Sequence, residues 1–228
     1  MSTAKEAKGT KRIVIAPPNI QSAPIWIIGT SPLVVHKFSD KARNMIREKQ
    51  AAGSTANSKR KREAKDFDEV YQGARHISFE GWDGFAASGI RNACISACRL
   101  CNYKMTIAKL SIFVEADGYD AGDGTALVRI LGGAPRPSEG MVRLATGVCD
   151  IAVRPQWIEW GACLKISWDA DQFTANDVYN LIHRAGVQVG ICEGRNDSKN
   201  SNGCGWGSFR ISSEEEVMAL VKKAEAQK

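Results

Sequence analysis

Apolar residues along the chain recur with two different periods, which predict two kinds of element. Alternation with a period of two predicts strands, and recurrence every three or four residues predicts helices. Once two insertions are set aside, the elements follow the order strand, helix, strand, strand, helix, strand. Their ranges are 24–36, 88–101, 104–116, 159–169, 174–185 and 187–211. This order predicts an α+β chain with a ferredoxin-like βαββαβ core, the arrangement that RNA-recognition motifs also have.

Capping residues and glycines set the expected ends of several elements. Thr174 and Asp177 form a capping-box signature at the start of the second helix, and Gly186 is expected to end that helix. A short strand is predicted directly afterwards, over 187–191. The glycine-rich segment 81–89 is predicted to be a turn that leads into the first helix.

The other segments are predicted to project from a single domain over 24–211. A basic arm, 1–23, precedes this domain, and a capped helix, 212–228, follows it. A mobile basic insertion is expected at about 53–80, because it begins with small, polar and positively charged residues. Glycine-rich turns and alternating residues predict a β-hairpin excursion at about 117–158.

The positive charge of the chain is concentrated in two segments. The net charge is +6, but residues 1–12 carry a net +3 and residues 37–65 a net +7, which leaves −4 for the rest. The second segment contains four consecutive cations: Lys59, Arg60, Lys61 and Arg62. This distribution is typical of an acidic body with basic appendages for a polyanion, although a solvated basic loop would have the same composition.

Three of the seven cysteines have the spacing C-x3-C-x2-C, as Cys94, Cys98 and Cys101. Such a spacing can hold three corners of an iron–sulfur cluster, but on a helix it places all three thiols on one face. The stretch contains no proline or internal glycine that would break a helix, and free cysteines commonly pack as small apolar residues. We therefore predict a packed core helix here, with no metal and no cofactor.

The cysteine count also bears on location. Seven is an odd number without the spacing of a disulfide framework, which indicates a reducing, intracellular setting. No apolar run approaches the ~20 residues of a membrane-spanning helix. The basic N-terminus has no apolar segment behind it, so a secretory signal is not expected. The expected location is the cytoplasm, with no membrane partner.

Two stretches resemble motifs of the RAMP superfamily. GFAASGIRNACISACR, at 84–99, resembles the small-residue start of the superfamily's first helix, which is followed by an arginine, here Arg91. VGICEGRNDSKNSNGCGWGSFRI, at 189–211, resembles the superfamily's C-terminal glycine-rich loop. The chain departs from these motifs in the long Asn- and Asp-rich middle of the loop and in Asn92 and Ala93. The first motif is also similar to bacteriophage proteins of unknown role.

The RAMP superfamily includes crRNA-binding backbone subunits of CRISPR effector complexes and crRNA-processing endoribonucleases. The resemblance therefore implies RNA or single-stranded DNA as the partner. It also implies a homo-oligomer or filament along that strand, in a prokaryotic or phage-infected cell.

Candidate binding residues lie in the glycine-rich loop and the first helix. Glycines let backbone N–H groups approach phosphates closely, and a tryptophan among them can stack on a base. Arg91 begins the helix, where the helix dipole favours phosphate. Equally, the loop could be a structural hairpin, and Arg91 could pair with Asp83 or Glu80. The loop candidates are Arg195, Lys199, Gly203, Gly205, Trp206 and Gly207.

His36 and His183 are the candidates for acid–base chemistry, since the ordinary pKa of histidine lies near neutral pH. RAMP endoribonucleases often have a histidine after the first strand, where His36 lies, but a histidine at a strand end is also commonly structural. The sequence matches no nucleophile elbow and no phosphate-binding P-loop.

Three functions are compatible with these features. The first is a non-catalytic protein that binds RNA or single-stranded DNA through the glycine-rich loop and the basic insertion, and that multimerises along the strand. The second is a metal-independent endoribonuclease that uses His36. The third is a structural or assembly protein, such as a viral one, in which the loop and the basic segment contact other protein chains.

Overall fold

The structure is a computed structural model that describes residues 15–38, 40–51, 53, 65–143, 149–197 and 203–226. Within these ranges the chain forms helices and antiparallel sheets, which confirms the predicted α+β class. The helices are α1 Asp40–Ala51, α2 Phe67–Gly73, α3 Ala87–Ala97, α4 Met105–Ser111, α5 Ala175–Arg184 and α6 Glu214–Glu225. None of these helices has the length and apolar character needed to span a membrane. α5 begins at the predicted capping box of Thr174 and Asp177.

The strands of the described ranges form three sheets. They are β1 Ile20–Gly29, β2 Leu33–Val34, β3 His76–Ile77, β4 Asp83–Ala86, β5 Ile112–Glu115, β6 Gly118–Tyr119, β7 Ala126–Arg129, β8 Leu131–Gly132, β9 Arg136–Arg143, β10 Cys149–Trp157, β11 Trp160–Asp169 and β12 Phe209–Ile211. The largest sheet has the order β12-β1-β11-β5, and β8 also pairs with β11. The other two have the orders β2-β10-β9 and β3-β4-β7-β6.

One face of the largest sheet packs against α3 and α5 to form the core. Alternate side chains point into it, such as Ile27 of β1 and Leu164 of β11, both fully buried. The Trp160 ring packs edge-on against the rings of Phe85 and Phe209, with centroids 6.4 and 6.3 Å away. These contacts join the largest sheet to β4 of the β3-β4-β7-β6 sheet within the apolar core.

α3 is the predicted cysteine-rich helix. Cys94 and Cys98 are each 1% exposed, so their predicted burial is confirmed. A 3₁₀ turn, Cys98–Cys101, follows α3 and leaves Cys101 exposed, so the predicted burial of that thiol is wrong. The reason is geometric: a 3₁₀ turn has three residues per turn instead of 3.6, which rotates the last cysteine away from the helix face.

Residues 104–116 form a strand only in their second part, β5, so the predicted strand over the whole range is wrong. The first part is α4, in which Ala108 and Ser111, one helical turn apart, are both buried. The segment 81–89 is likewise not only a turn, because it contains β4, which pairs with β7. In both places packing against the core decides the local structure, and the sequence pattern does not.

The predicted strand at 187–191 is also wrong. α5 continues into a π-helical turn, Ala185–Val189, and the chain then reverses at Gly190, whose φ is +75°. Gly186 lies so close to β12 that a Cβ there would be 2.2 Å from the carbonyl oxygen of Phe209. This contact presses the end of α5 against the sheet edge, and the alternation of Val and Gln residues does not lead to a strand.

The predicted excursion contains a hairpin, β9–β10. Pro137 of β9 faces Pro155 of β10 across the ladder. The Pro155 carbonyl oxygen accepts a hydrogen bond from the Val35 N–H at 3.1 Å, on the side away from β9. The two prolines therefore occupy a pair that requires no hydrogen bond between the two strands. β10 pairs with β2 only through Gln156 and Trp157, so most of the hairpin extends beyond that strand.

Part of the predicted insertion is ordered secondary structure. α2 is capped by Asp66, whose carboxylate accepts hydrogen bonds from the N–H groups of Asp68 and Glu69 at 3.0 and 3.1 Å. Residues 54–64, with the basic run, lie outside the described residues, as do residues 1–14 of the basic arm.

Candidate functional site

A cleft of about 420 Å³ lies between α2, the segment after β2, the turn after β6 and the β9–β10 hairpin. Four segments line it: the residues after β2, the stretch from α2 to β3, the turn between β6 and β7, and β10. The charged and titratable side chains among its lining residues are His36, Lys37, Glu69, Arg75, Asp120 and Arg154. Because the four segments are distant in sequence, only the fold brings them together.

The first group at this cleft, which we name the open cluster, contains His36, Arg154 and Glu193. One carboxylate oxygen of Glu193, Oε2, lies 3.3 Å from His36 Nδ1 and accepts a hydrogen bond from Arg154 Nε at 3.0 Å. Burial lowers the pKa of His36 below its ordinary 6.5, the Arg154 guanidinium lowers it further, and Glu193 opposes both. His36 is therefore neutral at pH 7, although its side chain is 47% exposed.

The second group, which we name the buried cluster, contains Lys37, His76 and Asp120. Lys37 Nζ donates to Asp120 Oδ1 at 2.5 Å, and His76 Nδ1 lies 2.8 Å from Asp120 Oδ2. The N–H groups of Gly122 and Asp123 also donate to Oδ1, at 2.8 and 3.2 Å. Burial acts to raise the pKa of Asp120, but the hydrogen bonds from Lys37 and His76 outweigh it and hold the pKa below the ordinary value.

His76, Asp120 and Asp123 also have potential metal-ligand atoms within 4.8 Å of one another. The donor set is one nitrogen and two carboxylates, which a transition metal would accept. However, the Lys37 ammonium already contacts Asp120 Oδ1, and Arg43 Nη2 lies 3.2 Å from Asp123 Oδ2. The cations that balance these carboxylates are side chains of the protein itself, so the group is better described as an ion-pair network.

The glycine-rich loop is folded against the sheet by its own backbone. The Gly207 N–H donates to the Pro32 carbonyl oxygen at 2.8 Å, and the Gly207 carbonyl accepts from the Ile191 N–H at 3.0 Å. A Cβ on Gly207 would lie 1.9 Å from the Ile191 carbonyl oxygen, and the φ of Gly207 is +68°. At this position glycine is required by the turn and by close packing.

Two predicted binding residues of the loop make internal contacts. Arg195 donates from Nη1 to the Cys192 carbonyl at 2.9 Å and from Nε to the Asp197 carbonyl at 3.1 Å. The half-buried Trp206 ring lies against Gly194, where a Cβ would be 2.4 Å from the ring. Gly203 and Gly205 both have positive φ, as expected for a tight turn. Lys199 lies outside the described residues, as do Lys59, Arg60, Lys61 and Arg62.

Arg91 lies apart from the loop. Its guanidinium donates to the carbonyl oxygens of Lys109 and Ile112, and so bridges α4 and β5. The loop meets the other end of α3, where Arg99 pairs with Asp197 at 2.5 Å. At 1.5 Å per residue, the two arginines are about 12 Å apart along the helix axis. Within the described residues, the contacts of Arg91 therefore lie at α4 and β5, at the end of α3 away from the loop.

No sequence pattern marked the residues that surround His36 and the cleft. Glu193 lies inside the glycine-rich motif, where attention falls on the glycines, and Arg154 lies in the alternating pattern of a hairpin strand. Asp120 lies in a turn-rich stretch that is typical of surface loops. His183, the other candidate histidine, is exposed near the end of α5 and does not line the cleft. Of the predicted site residues that the structure describes, His36 alone lines the cleft.

Comparisons with known proteins add no further constraint. No model of a protein family matches the chain, and no curated protein matches it significantly.

Proposed function

We propose that this protein binds RNA or single-stranded DNA without cleaving it, on a ferredoxin-like core of the RAMP type. Support for the core comes from the order of the four strands that form the continuous path of the largest sheet. In chain order they are β1, β5, β11 and β12, and in space they lie fourth, first, third, second, with all neighbours antiparallel. α3 lies in the first crossover and α5 in the second, as the βαββαβ arrangement requires.

The observation that carries the proposal is that Glu193 joins three features that the sequence marks separately. Glu193 belongs to the glycine-rich loop, His36 follows the first extended segment, and Arg154 belongs to the hairpin excursion. One carboxylate oxygen contacts both of the others, so loop, histidine and hairpin form one composite site beside the cleft. The Arg154 guanidinium and the His36 imidazole provide hydrogen-bond donors, the first of them charged, for a phosphate group of the backbone.

Contacts with a phosphate backbone do not depend on base sequence, so several copies can occupy one strand. This is the basis of the multimer that we propose. The basic run Lys59–Arg62 belongs to the insertion between α1 and α2, and α2 lines the cleft. We therefore include this run among the proposed contacts, together with Arg195, Lys199 and Trp206 at the loop.

An electrophoretic shift assay at low salt with single-stranded RNA, single-stranded DNA and duplex tests this function. We expect a shift with at least one of the single strands, and an affinity that falls with salt by about 0.7 in log K per log unit of salt for each phosphate contact. A double variant of Arg210 and Lys223 to Ala, two exposed cations outside the cleft, is the control for general charge. Failure to bind any polynucleotide would favour the structural or assembly function instead.

A second function, a metal-independent endoribonuclease, is favoured by the surroundings of His36. Its imidazole lines the cleft, and Nδ1 faces a carboxylate, which fixes the tautomer that leaves Nε2 as a proton acceptor. The lowered pKa keeps the ring neutral at pH 7, as a general base requires. Lys37 and Arg154 are nearby cations that can stabilise negative charge on a reacting phosphate.

Incubation of the protein with single-stranded RNA in excess EDTA separates the two functions. Cleavage that survives EDTA and is lost in His36→Ala, but not in His183→Ala, selects the endoribonuclease. Retention of intact RNA alongside a clear shift selects non-catalytic binding.

A further inference from the structure

We infer that Arg154 and His36 form a subsite for one phosphate group of the bound strand, and that the Glu193 carboxylate occupies this subsite before the strand binds. The inference rests on the proposed nucleic-acid binding and adds to it the position of a phosphate contact and the group that competes for it. Neither Arg154 nor Glu193 is identified as a site residue by the sequence.

The geometry of the open cluster is that of an anion site. Glu193 Oε2 lies between an imidazole nitrogen at 3.3 Å and a guanidinium nitrogen at 3.0 Å. A phosphate oxygen makes the same charge-assisted hydrogen bonds, and a phosphodiester carries the same single negative charge as the carboxylate. A phosphate also offers a second oxygen, so Arg154 and His36 need not share one acceptor atom.

The other cation pairs of the cleft are held more firmly. Asp120 is fully buried and accepts hydrogen bonds from Lys37 and from the backbone N–H of Gly122. Asp83 binds Arg75 through both carboxylate oxygens, at 2.9 and 2.8 Å. An incoming phosphate would have to break several bonds at once to reach Lys37 or Arg75.

Glu193 is the acceptor that can be displaced at least cost. Its side chain is 31% exposed, and it contacts Arg154 and His36 through the same oxygen. Its backbone is fixed by a hydrogen bond from its own N–H to the Val34 carbonyl at 3.0 Å, so the loop need not move. Rotation about side-chain bonds is sufficient to carry the carboxylate into water, where its solvation is recovered.

Affinity measurements with labelled oligouridylate and oligothymidylate test the subsite. Glu193→Gln removes the competing charge and should bind about two- to fivefold more tightly, the effect of a partly exposed charge pair. Arg154→Ala should bind about tenfold more weakly and flatten the salt dependence by about 0.7, the share of one phosphate contact. Arg154→Lys retains the charge and should lie between the wild type and Arg154→Ala, provided that circular dichroism shows each variant to be folded.

Glu216→Gln is the matched control, because Glu216 also accepts hydrogen bonds from an arginine, Arg210, but outside the cleft. Its affinity should equal that of the wild type. If the wild type binds, but Glu193→Gln binds no more tightly and Arg154→Ala no more weakly, the subsite is overturned and the proposed function stands.

Inorganic phosphate provides an independent measurement. The chain has three histidines, so the ring resonances of His36 can be followed by NMR with His183 as the internal reference. We expect phosphate to shift the His36 resonances, and to do so at lower concentration in Glu193→Gln. A phosphate response without any polynucleotide binding would overturn the proposed function and retain the subsite. If phosphate shifts no His36 resonance and no polynucleotide binds, both the subsite and the proposed function are overturned.

Discussion

The open cluster and the buried cluster are built from the same kinds of side chain but have different surroundings. Each joins a histidine, a carboxylate and a cation, and the neighbouring residues His36 and Lys37 contribute one member to each. Successive side chains of an extended segment point in opposite directions, so two adjacent residues can serve two separate clusters. The carboxylates differ most: Asp120 is fully buried, whereas Glu193 is partly exposed.

This difference shows that burial, and not composition, separates a structural ion pair from an exchangeable one. A buried carboxylate that loses a partner keeps an uncompensated charge in a medium of low polarity, which is costly. A partly exposed carboxylate that loses a partner gains water instead. The buried cluster therefore holds the turn after β6 against β3 and the segment after β2, and the open cluster is suited to bind and release a ligand.

The largest expected difference between the clusters is in stability. Asp120→Asn leaves the Lys37 ammonium buried without its counter-charge and should lower the free energy of unfolding by about 3–5 kcal/mol. Glu193→Gln, the same chemical change in the open cluster, should lower it by about 1 kcal/mol or less. Urea unfolding of both variants beside the wild type measures the two losses. Equal losses would contradict the assignment of one cluster to the interior and the other to the surface.

The pH dependence of stability should separate the clusters next. The pKa of Asp120 is lowered in the folded protein, so its contribution is complete above its ordinary pKa of 3.8 and is lost as pH falls through the folded value. The gap in unfolding free energy between wild type and Asp120→Asn should therefore narrow only below pH 3.8. A gap that already narrows near neutral pH would point to a histidine as the controlling group.

The smallest expected effect is on the titration of His36, which reports the open cluster alone. The pKa of His36 should lie below 6.5, fall further in Glu193→Gln and rise in Arg154→Gln, because Glu193 raises it and Arg154 lowers it. Since the folded protein favours the neutral ring, this group also costs stability as pH falls below 6.5. NMR titration of the wild type and the two variants gives the order of the three His36 pKa values directly. An unchanged pKa in both substitutions would mean that the three side chains do not interact in solution.

The elements of the core were largely predictable, because burial on one face imposes a period on the sequence. Cys94 and Cys98 follow the helical period, and Thr174 and Asp177 carry a local capping signal that needs no tertiary information. The prediction failed where packing opposed the local pattern, as at Gly186, whose contact with Phe209 accompanies a π-helical turn in place of a strand. The apolar period of a sequence shows which face of a helix or strand is buried, but it does not show which other element packs against that face.

The candidate site was predictable only in one residue, His36. Glu193 and Arg154 belong to segments with strong signals of their own, a glycine-rich loop and an alternating strand, and no local pattern reports that the two segments meet. The sequence marked Arg195 as a candidate binding residue, but no local pattern reported that its guanidinium also holds two carbonyl groups of its own loop. Contacts between distant segments depend on topology, which a single sequence reports only indirectly.

The facing prolines of the hairpin, Pro137 and Pro155, fix the register in which β9 and β10 pair beside the open cluster. In an antiparallel ladder, hydrogen-bonded and non-hydrogen-bonded pairs alternate, so sliding one strand by a single residue would place one of these prolines where an N–H must be donated. A hairpin shifted by one residue would therefore lose one inter-strand hydrogen bond, whereas the observed register requires no N–H from either proline. Arg154 directly precedes Pro155, so the same register also determines on which face of the hairpin the Arg154 guanidinium lies. Insertions or deletions in the hairpin beyond the prolines are therefore expected to leave Arg154 on the face that contacts Glu193.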